Sequence, residues 1–441
     1  MDQAKPAELP AKRADLSDPR ATAAGHHPVL RAVGLGLITG AADDDCSAIG
    51  TYASAGAQLG PSFLWTAPVT FPMMVAVVYL SSKLGQVAGQ GLFAVIREHY
   101  PRWLLYAALV GVLVGNTIEA AADLGGMAAA LNLYVTIPIP WIVVVTAGVM
   151  LSLQFWGSYK LIRNVFRWLA LALLAYIPAA LLAKPPLLPV IQGTLIPTLR
   201  LDREFLSLLV AVIGTTLSTY LFTWQSNEEV EEEIAMGRRR LSDRRGASEA
   251  ELKQSWWDIV LGMSFSNVIM YFIMLSTAAT LYPAGKTDID TAAQAADALR
   301  PFAGNAAGVL FVLGVVGVGF LAVPVMISGA AYDISQSLGW KHSLHARPRE
   351  AGKFYAAIAV ITVVAVALNF IGLNPIKALV WAGIVQGFST PPLLLLIMLM
   401  TNNHRIVGDQ VNGRSLNVLG WLTTVAVFAA TIGLVVSWTL G

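Results

Sequence analysis

The chain has 441 residues, of which 56% are hydrophobic and only 13% are charged, and its formal net charge is +2. Soluble domains carry about 25% charged residues, so this composition indicates a protein that crosses a membrane many times. Cys46 is the single cysteine, and the six histidines show no paired ligand spacing. A disulfide framework is therefore excluded, and zinc hydrolases and other enzymes have no support. We expect no enzymatic activity and no cofactor.

The polar stretch 1–28 lacks the apolar run of a signal peptide and predicts a disordered cytosolic tail. One transmembrane domain over 29–441 should follow, because a membrane-crossing helix needs about 20 mainly apolar residues. We count eleven such segments, at 30–57, 62–84, 103–131, 138–157, 162–183, 204–233, 255–282, 304–335, 354–373, 375–400 and 416–440.

The distribution of basic residues predicts the orientation of these segments in the cell membrane. Most of the 29 Lys and Arg residues fall on one side, which places the N-terminus in the cytoplasm and the C-terminus on the opposite side. The basic run 238–245 belongs to this bias, so we predict no nucleic-acid partner. We predict that the whole transmembrane domain contacts the lipid bilayer.

Two segments should be broken near the middle of the membrane. The first contains TGAADDDCSAIGTY (39–52), in which glycines surround three consecutive aspartates, and the sixth contains GTTLSTY (214–220), a run of hydroxyls. Non-helical backbone survives at that depth only where it is buried in protein or lines a wet cavity. Interrupted segments five helices apart are typical of inverted-repeat secondary transporters, which work by alternating access. We assign repeat one to about 30–183, repeat two to about 204–400, and an extra helix to 416–440.

The acidic residues indicate an ion site. A carboxylate at mid-membrane costs about 2.5–3.5 kcal/mol and usually marks an ion path. Three adjacent carboxylates cannot all stay ionised without a cation or proton among them. Consecutive helical positions lie about 100° apart, so one aspartate should lead and the others support it. Glu119 and Asp123 lie four residues apart on one face of the third segment, and we predict that they form a proton path.

The stretches 34–60, MTNNHRIVGDQVNGR (400–414) and LNLYVTIPIP (131–140) resemble the Nramp family of divalent-metal transporters. The resemblance implies an all-α, LeuT-type fold with five-plus-five inverted repeats and one extra helix. It also implies a metal site made by the Asp45 carboxylate and the carbonyl groups of Ala42 and Thr215. The remaining residues that we assign to the substrate site are Asp44, Ser47, Ser218 and Tyr220.

This chain departs from the family at the soft metal ligands. The metal-coordinating asparagine of the family falls on Ala48, its methionine on Ser218 and its histidine on Tyr220. Methionine sulfur favours soft transition metals, whereas an all-oxygen site favours hard ions. Magnesium needs only one or two carboxylates and keeps several waters. We therefore predict transport of a hard divalent cation, with magnesium as the first candidate and manganese as the second, coupled to protons or sodium.

Two other functions are consistent with the residues alone. The same fold could carry a small oxyanion such as bicarbonate, bound by hydroxyls and by the free N–H groups of the half-helices, with a coupling cation at Asp45. A receptor or scaffold that does not transport would instead use Asp44 and Asp45 as structural helix caps.

Overall fold

The computed structural model describes residue 40 and residues 42–156, 171–344 and 346–440, and within these ranges the chain is helical without a β-strand. The α-helices are α1 Cys46–Leu59, α2 Thr66–Ala88, α3 Leu92–His99, α4 Arg102–Leu131, α5 Ile139–Trp156, α6 Tyr176–Leu182, α7 Leu187–Leu195, α8 Arg203–Thr216, α9 Thr219–Ala235, α10 Leu241–Arg244, α11 Glu249–Thr280, α12 Ala292–Asp297, α13 Arg300–Ala303, α14 Ala307–Leu338, α15 Gly352–Leu368, α16 Pro375–Thr401, α17 His404–Val407 and α18 Arg414–Leu440. Short 3-10 helices add Gly60–Phe63, Leu171–Ala175 and Gly304–Ala306.

The long helices follow the apolar segments of the sequence closely. Among the described residues, seven helical stretches are long and apolar enough to cross a membrane, and three shorter apolar helices accompany them. The first, fourth and fifth predicted segments extend into residues outside the described ranges, so the count of eleven stays a prediction. The predicted tail 1–28 also lies outside them, and the division into two repeats and the orientation of the termini remain predictions.

Both predicted helix breaks are confirmed. In the first, Ala42 and Asp43 are helical, Asp44 forms a bend, and Asp45 is extended before α1 begins at Cys46. In the second, α8 ends at Thr216 and α9 begins at Thr219, and Ser218 between them is extended at φ −62° and ψ 138°. Each break exposes backbone groups that a continuous helix would have paired internally.

Glycines allow the broken helices to approach their neighbours closely. A Cβ on Gly214 of α8 would overlap the Gly383 carbonyl oxygen and lie 2.9 Å from the Gly387 Cα, both on α16. Close backbone packing at small residues is a general way of joining membrane helices. These contacts hold the second break against α16.

We expect Gly214→Ala to destabilise the protein by about 1–3 kcal/mol, because the added methyl group would overpack a backbone contact. The effect is measured by heating each variant in detergent and determining by size-exclusion chromatography how much folded protein remains. Gly148→Ala on α5 is the matched control, since no atom lies within 4 Å of the position of its Cβ, and it should be neutral or stabilising by about 0.5–1 kcal/mol. Equal stability of the two variants would contradict the packing argument.

Candidate functional site

Asp45 stands at the start of α1 and uses its two carboxylate oxygens differently. Oδ1 accepts hydrogen bonds from the Ala48 backbone N–H at 2.7 Å and from the Ser47 hydroxyl at 2.8 Å. Asp45 is therefore the N-cap of α1, where a negative charge also meets the positive end of the helix dipole. Oδ2 remains directed toward the second break.

Tyr220, on the first turn of α9, connects the two breaks. Its hydroxyl lies 2.7 Å from the Ala42 carbonyl oxygen and 3.1 Å from Asp45 Oδ2, and it can donate to either one. A hydroxyl has a single proton, so only one of these acceptors is satisfied at a time. Two of the three predicted metal ligands thus converge on one point, which is occupied by the tyrosine oxygen.

Glu119 on α4 is the centre of the neighbouring hydrogen-bond network. Its Oε1 accepts from the Ser47 hydroxyl at 3.0 Å and lies 3.4 Å from the Ser218 hydroxyl, while its Oε2 accepts from Gln386 Nε2 at 2.5 Å. Ser218 also lies 2.8 Å from the carbonyl oxygen of Thr215, the third predicted metal ligand. Glu119 therefore joins both broken helices to α16.

Asp123 lies one turn from Glu119 and reaches the same helix end. Its Oδ1 accepts from the Ser47 backbone N–H at 2.9 Å, and its Oδ2 has no hydrogen-bond partner among the described atoms. Asn116 was missed by sequence reasoning, although its Oδ1 lies 3.1 Å from both the Thr219 hydroxyl and Gln386 Nε2. The spacing 116, 119, 123 puts the three side chains on one stripe of α4, and that periodicity would have found it.

Asp44 is separated from the other predicted site residues in its contacts. Its Oδ1 accepts from the Ser266 hydroxyl on α11 at 3.1 Å, and the same hydroxyl lies 2.6 Å from Asp43 Oδ2. The aspartate triplet therefore divides, with Asp45 facing the second break and Asp43 and Asp44 facing α11.

All five of these carboxylates are completely buried. The residues Asp43, Asp44, Asp45, Glu119 and Asp123 are each 0% exposed. Within the described ranges none of them forms an ion pair with a basic side chain, so nothing offsets the cost of burying their charge except hydrogen bonds, protons or an ion. No three His, Cys, Asp or Glu side chains of the described chain are grouped to hold a metal. A bound cation would therefore also need carbonyl, hydroxyl or water oxygens.

The fold and the site together define a class of protein. Two interrupted helices face each other deep within a helical bundle, and their free ends meet buried acids. This arrangement is that of secondary transporters, in which broken helices bind the solute at the repeat interface.

The sequence model of the family described as "Natural resistance-associated macrophage protein-like", or Nramp, matches residues 36–437. The chain belongs to the Nramp family, as the resemblance predicted. It is accordingly a multi-pass membrane transporter and not an enzyme.

Individual relatives agree with this family. The chain is 26% identical over 394 residues to the divalent metal cation transporter MntH of Klebsiella pneumoniae strain 342, covering 89% of this chain and 90% of that one. A crystal structure of the Eremococcus coleocola manganese transporter matches with a TM-score of 0.70 at 19% identity, covering 94% and 88% of the two chains. The closed conformation of MHP1, a nucleobase-cation-symport-1 family transporter, matches with a TM-score of 0.56 at 14% identity, covering 93% and 90%. These structures support the LeuT-type fold.

Proposed function

We propose that this protein is a secondary active transporter of a divalent metal cation that works by alternating access. The observation that carries the proposal is the convergence of the Ala42 carbonyl and the Asp45 carboxylate on one oxygen position, beside buried acids that have no basic partner in the described ranges. Asp45 is the lead ligand, and the Thr215 carbonyl oxygen, which accepts from the Ser218 hydroxyl at 2.8 Å, is the third proposed ligand. The names of the MntH relative and of the manganese transporter support the same class of substrate.

The donor atoms favour hard cations over soft ones. Ser218 and Ala48 stand where the family carries a thioether and an amide, which leaves carboxylate, carbonyl and hydroxyl oxygens around the site. Oxygen ligands suit magnesium and manganese, whereas sulfur would favour cadmium. We therefore propose magnesium as the preferred substrate and manganese as a second substrate.

The geometry favours a cation over the alternatives. Five buried carboxylates without a basic partner in the described ranges would repel bicarbonate. A receptor that uses the triplet as a helix cap needs only Asp45, since of the three aspartates it is the one that accepts from a backbone N–H of the first turn of α1. Neither alternative accounts for the buried Glu119 on α4.

We further propose that Glu119 and Asp123 carry the coupling proton. Ser47 connects them to Asp45, because its hydroxyl lies within hydrogen-bond distance of Asp45 and Glu119 and its backbone N–H bonds Asp123. Because Ser47 links both acids to Asp45, protons move with the cation in this scheme, and sodium is the other candidate coupling ion.

The bias of the Lys and Arg residues supports our proposal that the N-terminus lies in the cytoplasm.

A flux panel in proteoliposomes tests the proposed function. We expect magnesium and manganese to enter and to acidify the lumen as they do so, because protons move with the cation, and we expect bicarbonate not to be carried. Cadmium should compete only at concentrations similar to or above those of magnesium, because no soft ligand is present among the proposed site residues. Inhibition by cadmium at far lower concentration would contradict the hard-ion selectivity, and flux of bicarbonate alone would contradict the cation transporter.

Tyr220→Phe should tighten cation binding. In the ion-free protein the tyrosine hydroxyl donates to either Asp45 or Ala42, and removing it leaves one more buried acceptor unpaired at a cost of about 1–3 kcal/mol. The dissociation constant for Mn²⁺, measured by equilibrium binding, should fall by about 5- to 150-fold.

Tyr52→Phe is the control for this variant, because its hydroxyl contacts Thr216 at 3.0 Å and does not contact Asp45. It should leave the dissociation constant unchanged. Weaker binding by the Tyr220→Phe protein would contradict this prediction and make the hydroxyl a direct cation ligand, whereas the sequence assigned Tyr220 only to the substrate site.

A further inference from the structure

Asp43 and Asp44 form a second acidic site with Ser266, between the first break and α11. The Ser266 hydroxyl lies 2.6 Å from Asp43 Oδ2 and 3.1 Å from Asp44 Oδ1. All three residues are 0% exposed. Two carboxylates thus converge on one hydroxyl in a completely buried position.

The packing of the first helix on α11 builds this site. A Cβ on Gly40 would overlap the Gly262 carbonyl oxygen and lie 3.0 Å from its Cα, so the two backbones are in direct contact. Ser266 follows Gly262 by one helical turn, and Asp43 and Asp44 follow Gly40 by about the same distance. The glycine crossing therefore fixes the aspartates against the serine.

The donors at this site are too few for its acceptors. Ser266 has one hydroxyl proton and can donate to only one carboxylate at a time. Asp43 Oδ1 and Asp44 Oδ2 are buried and have no hydrogen-bond partner among the described atoms, and no basic side chain of the described ranges pairs with either residue. Buried polar groups in proteins are nearly always paired. A cation held between the two carboxylates would satisfy these unpaired oxygens and offset the burial of their charge.

We propose that Asp43, Asp44 and Ser266 bind a second hard cation, separate from the ion at Asp45. The contacts of Asp45 run to Ala48, Ser47 and Tyr220, whereas those of Asp43 and Asp44 run to α11. The two sites therefore share a backbone segment, but among the described atoms no hydrogen bond joins them. Paired carboxylates and a hydroxyl are the donors that hard cations take. The ion is either sodium or a second copy of the divalent substrate.

Equilibrium binding to the full-length protein in nanodiscs tests the proposal and distinguishes the two sources. With ⁵⁴Mn²⁺ and ²²Na⁺ as probes, the wild-type protein should bind two ions per chain, either two Mn²⁺ or one of each. The double variant Asp43→Asn/Asp44→Asn should bind only one, and that one should be Mn²⁺. Asp45→Asn should lose the other ion and keep the one held by Asp43 and Asp44.

Ser266→Ala keeps both carboxylates and provides a milder variant if the double variant does not fold. It should weaken binding of the second ion by about 10-fold, because the Ser266 hydroxyl oxygen is one of the three proposed ligands of that ion. Ser264→Ala is the matched control on the same helix, because the Ser264 hydroxyl donates to the Val260 carbonyl. This variant should change the affinity for neither ion.

One ion per wild-type chain, with no ²²Na⁺ bound, would overturn the proposal, and so would an unchanged stoichiometry in the double variant. Binding of ²²Na⁺ by the wild-type protein but not by the double variant, with no Mn²⁺ bound by either, would count against the proposed substrate and would still support the second site.

Discussion

Asp45→Asn should abolish cation transport in a protein that still folds. Asparagine is as good an N-cap as aspartate, so it can continue to accept from the Ala48 N–H and hold the start of α1. It cannot supply the negative charge that the divalent ion requires. We expect kcat/KM for Mn²⁺ uptake in proteoliposomes to fall by about 100-fold or more, which corresponds to about 2.7 kcal/mol.

Asp202→Asn is the matched control for this substitution. Asp202 caps α8 in the same way, accepting from the Phe205 N–H at 3.0 Å, but it is exposed and pairs with Arg200 at 2.8 Å. Its replacement should leave uptake unchanged. Transport by the Asp45→Asn protein at the wild-type rate would refute the assignment of Asp45 as the lead ligand.

Glu119→Gln should remove the pH dependence of transport and lower its rate. The Glu119 carboxylate accepts hydrogen bonds from the Ser47 hydroxyl and from Gln386, and an amide would present a donor where donors already point. We expect the protein to lose about 1–3 kcal/mol of stability and uptake to become independent of the external pH. Uptake measured over a range of external pH values, together with lumenal pH, gives both results.

Glu98→Gln on α3 serves as the control for this variant. A hydrogen bond from Gln90, and with it the neighbouring charges of His99 and Arg245, holds the pKa of Glu98 below its usual range. Glu98 therefore stays ionised across the assay and should not contribute to the pH dependence. Coupling that survives in the Glu119→Gln protein and in the Glu119→Ala/Asp123→Ala double variant would exclude this proton path.

The sequence predicted the long helices and both breaks because lipid imposes strong rules on composition. Apolar runs marked α2, α4 and α16 to within a few residues, and glycines and hydroxyls marked the interruptions. The short helices α3 and α7 were not predicted, because each is much shorter than the run of about 20 apolar residues that identifies a membrane-crossing helix. Composition determines where a chain crosses a membrane more clearly than how its loops are arranged.

The candidate site was predicted in part. Asp45 and Glu119 could be selected because charged residues are rare in apolar segments, and Ala42 could be selected by its position in the resemblance to the family. Ser266 could not be, since a serine within a membrane helix usually bonds its own backbone, and only the packing of Gly40 on Gly262 brings it to the aspartates. Contacts between distant segments of this kind depend on the fold and not on any local pattern.

The hydroxyl of Ser47, which Asp45 and Glu119 share, links cation binding at Asp45 to proton binding at Glu119. Its one proton can satisfy Asp45 at 2.8 Å or Glu119 at 3.0 Å, but not both. A cation that takes over Asp45 frees this hydroxyl for Glu119, and a proton on Glu119 returns it to Asp45. By thermodynamic linkage, whatever factor the cation applies to proton affinity, the proton must apply to cation affinity. Proton release measured on cation binding therefore reports the coupling free energy between these two binding events.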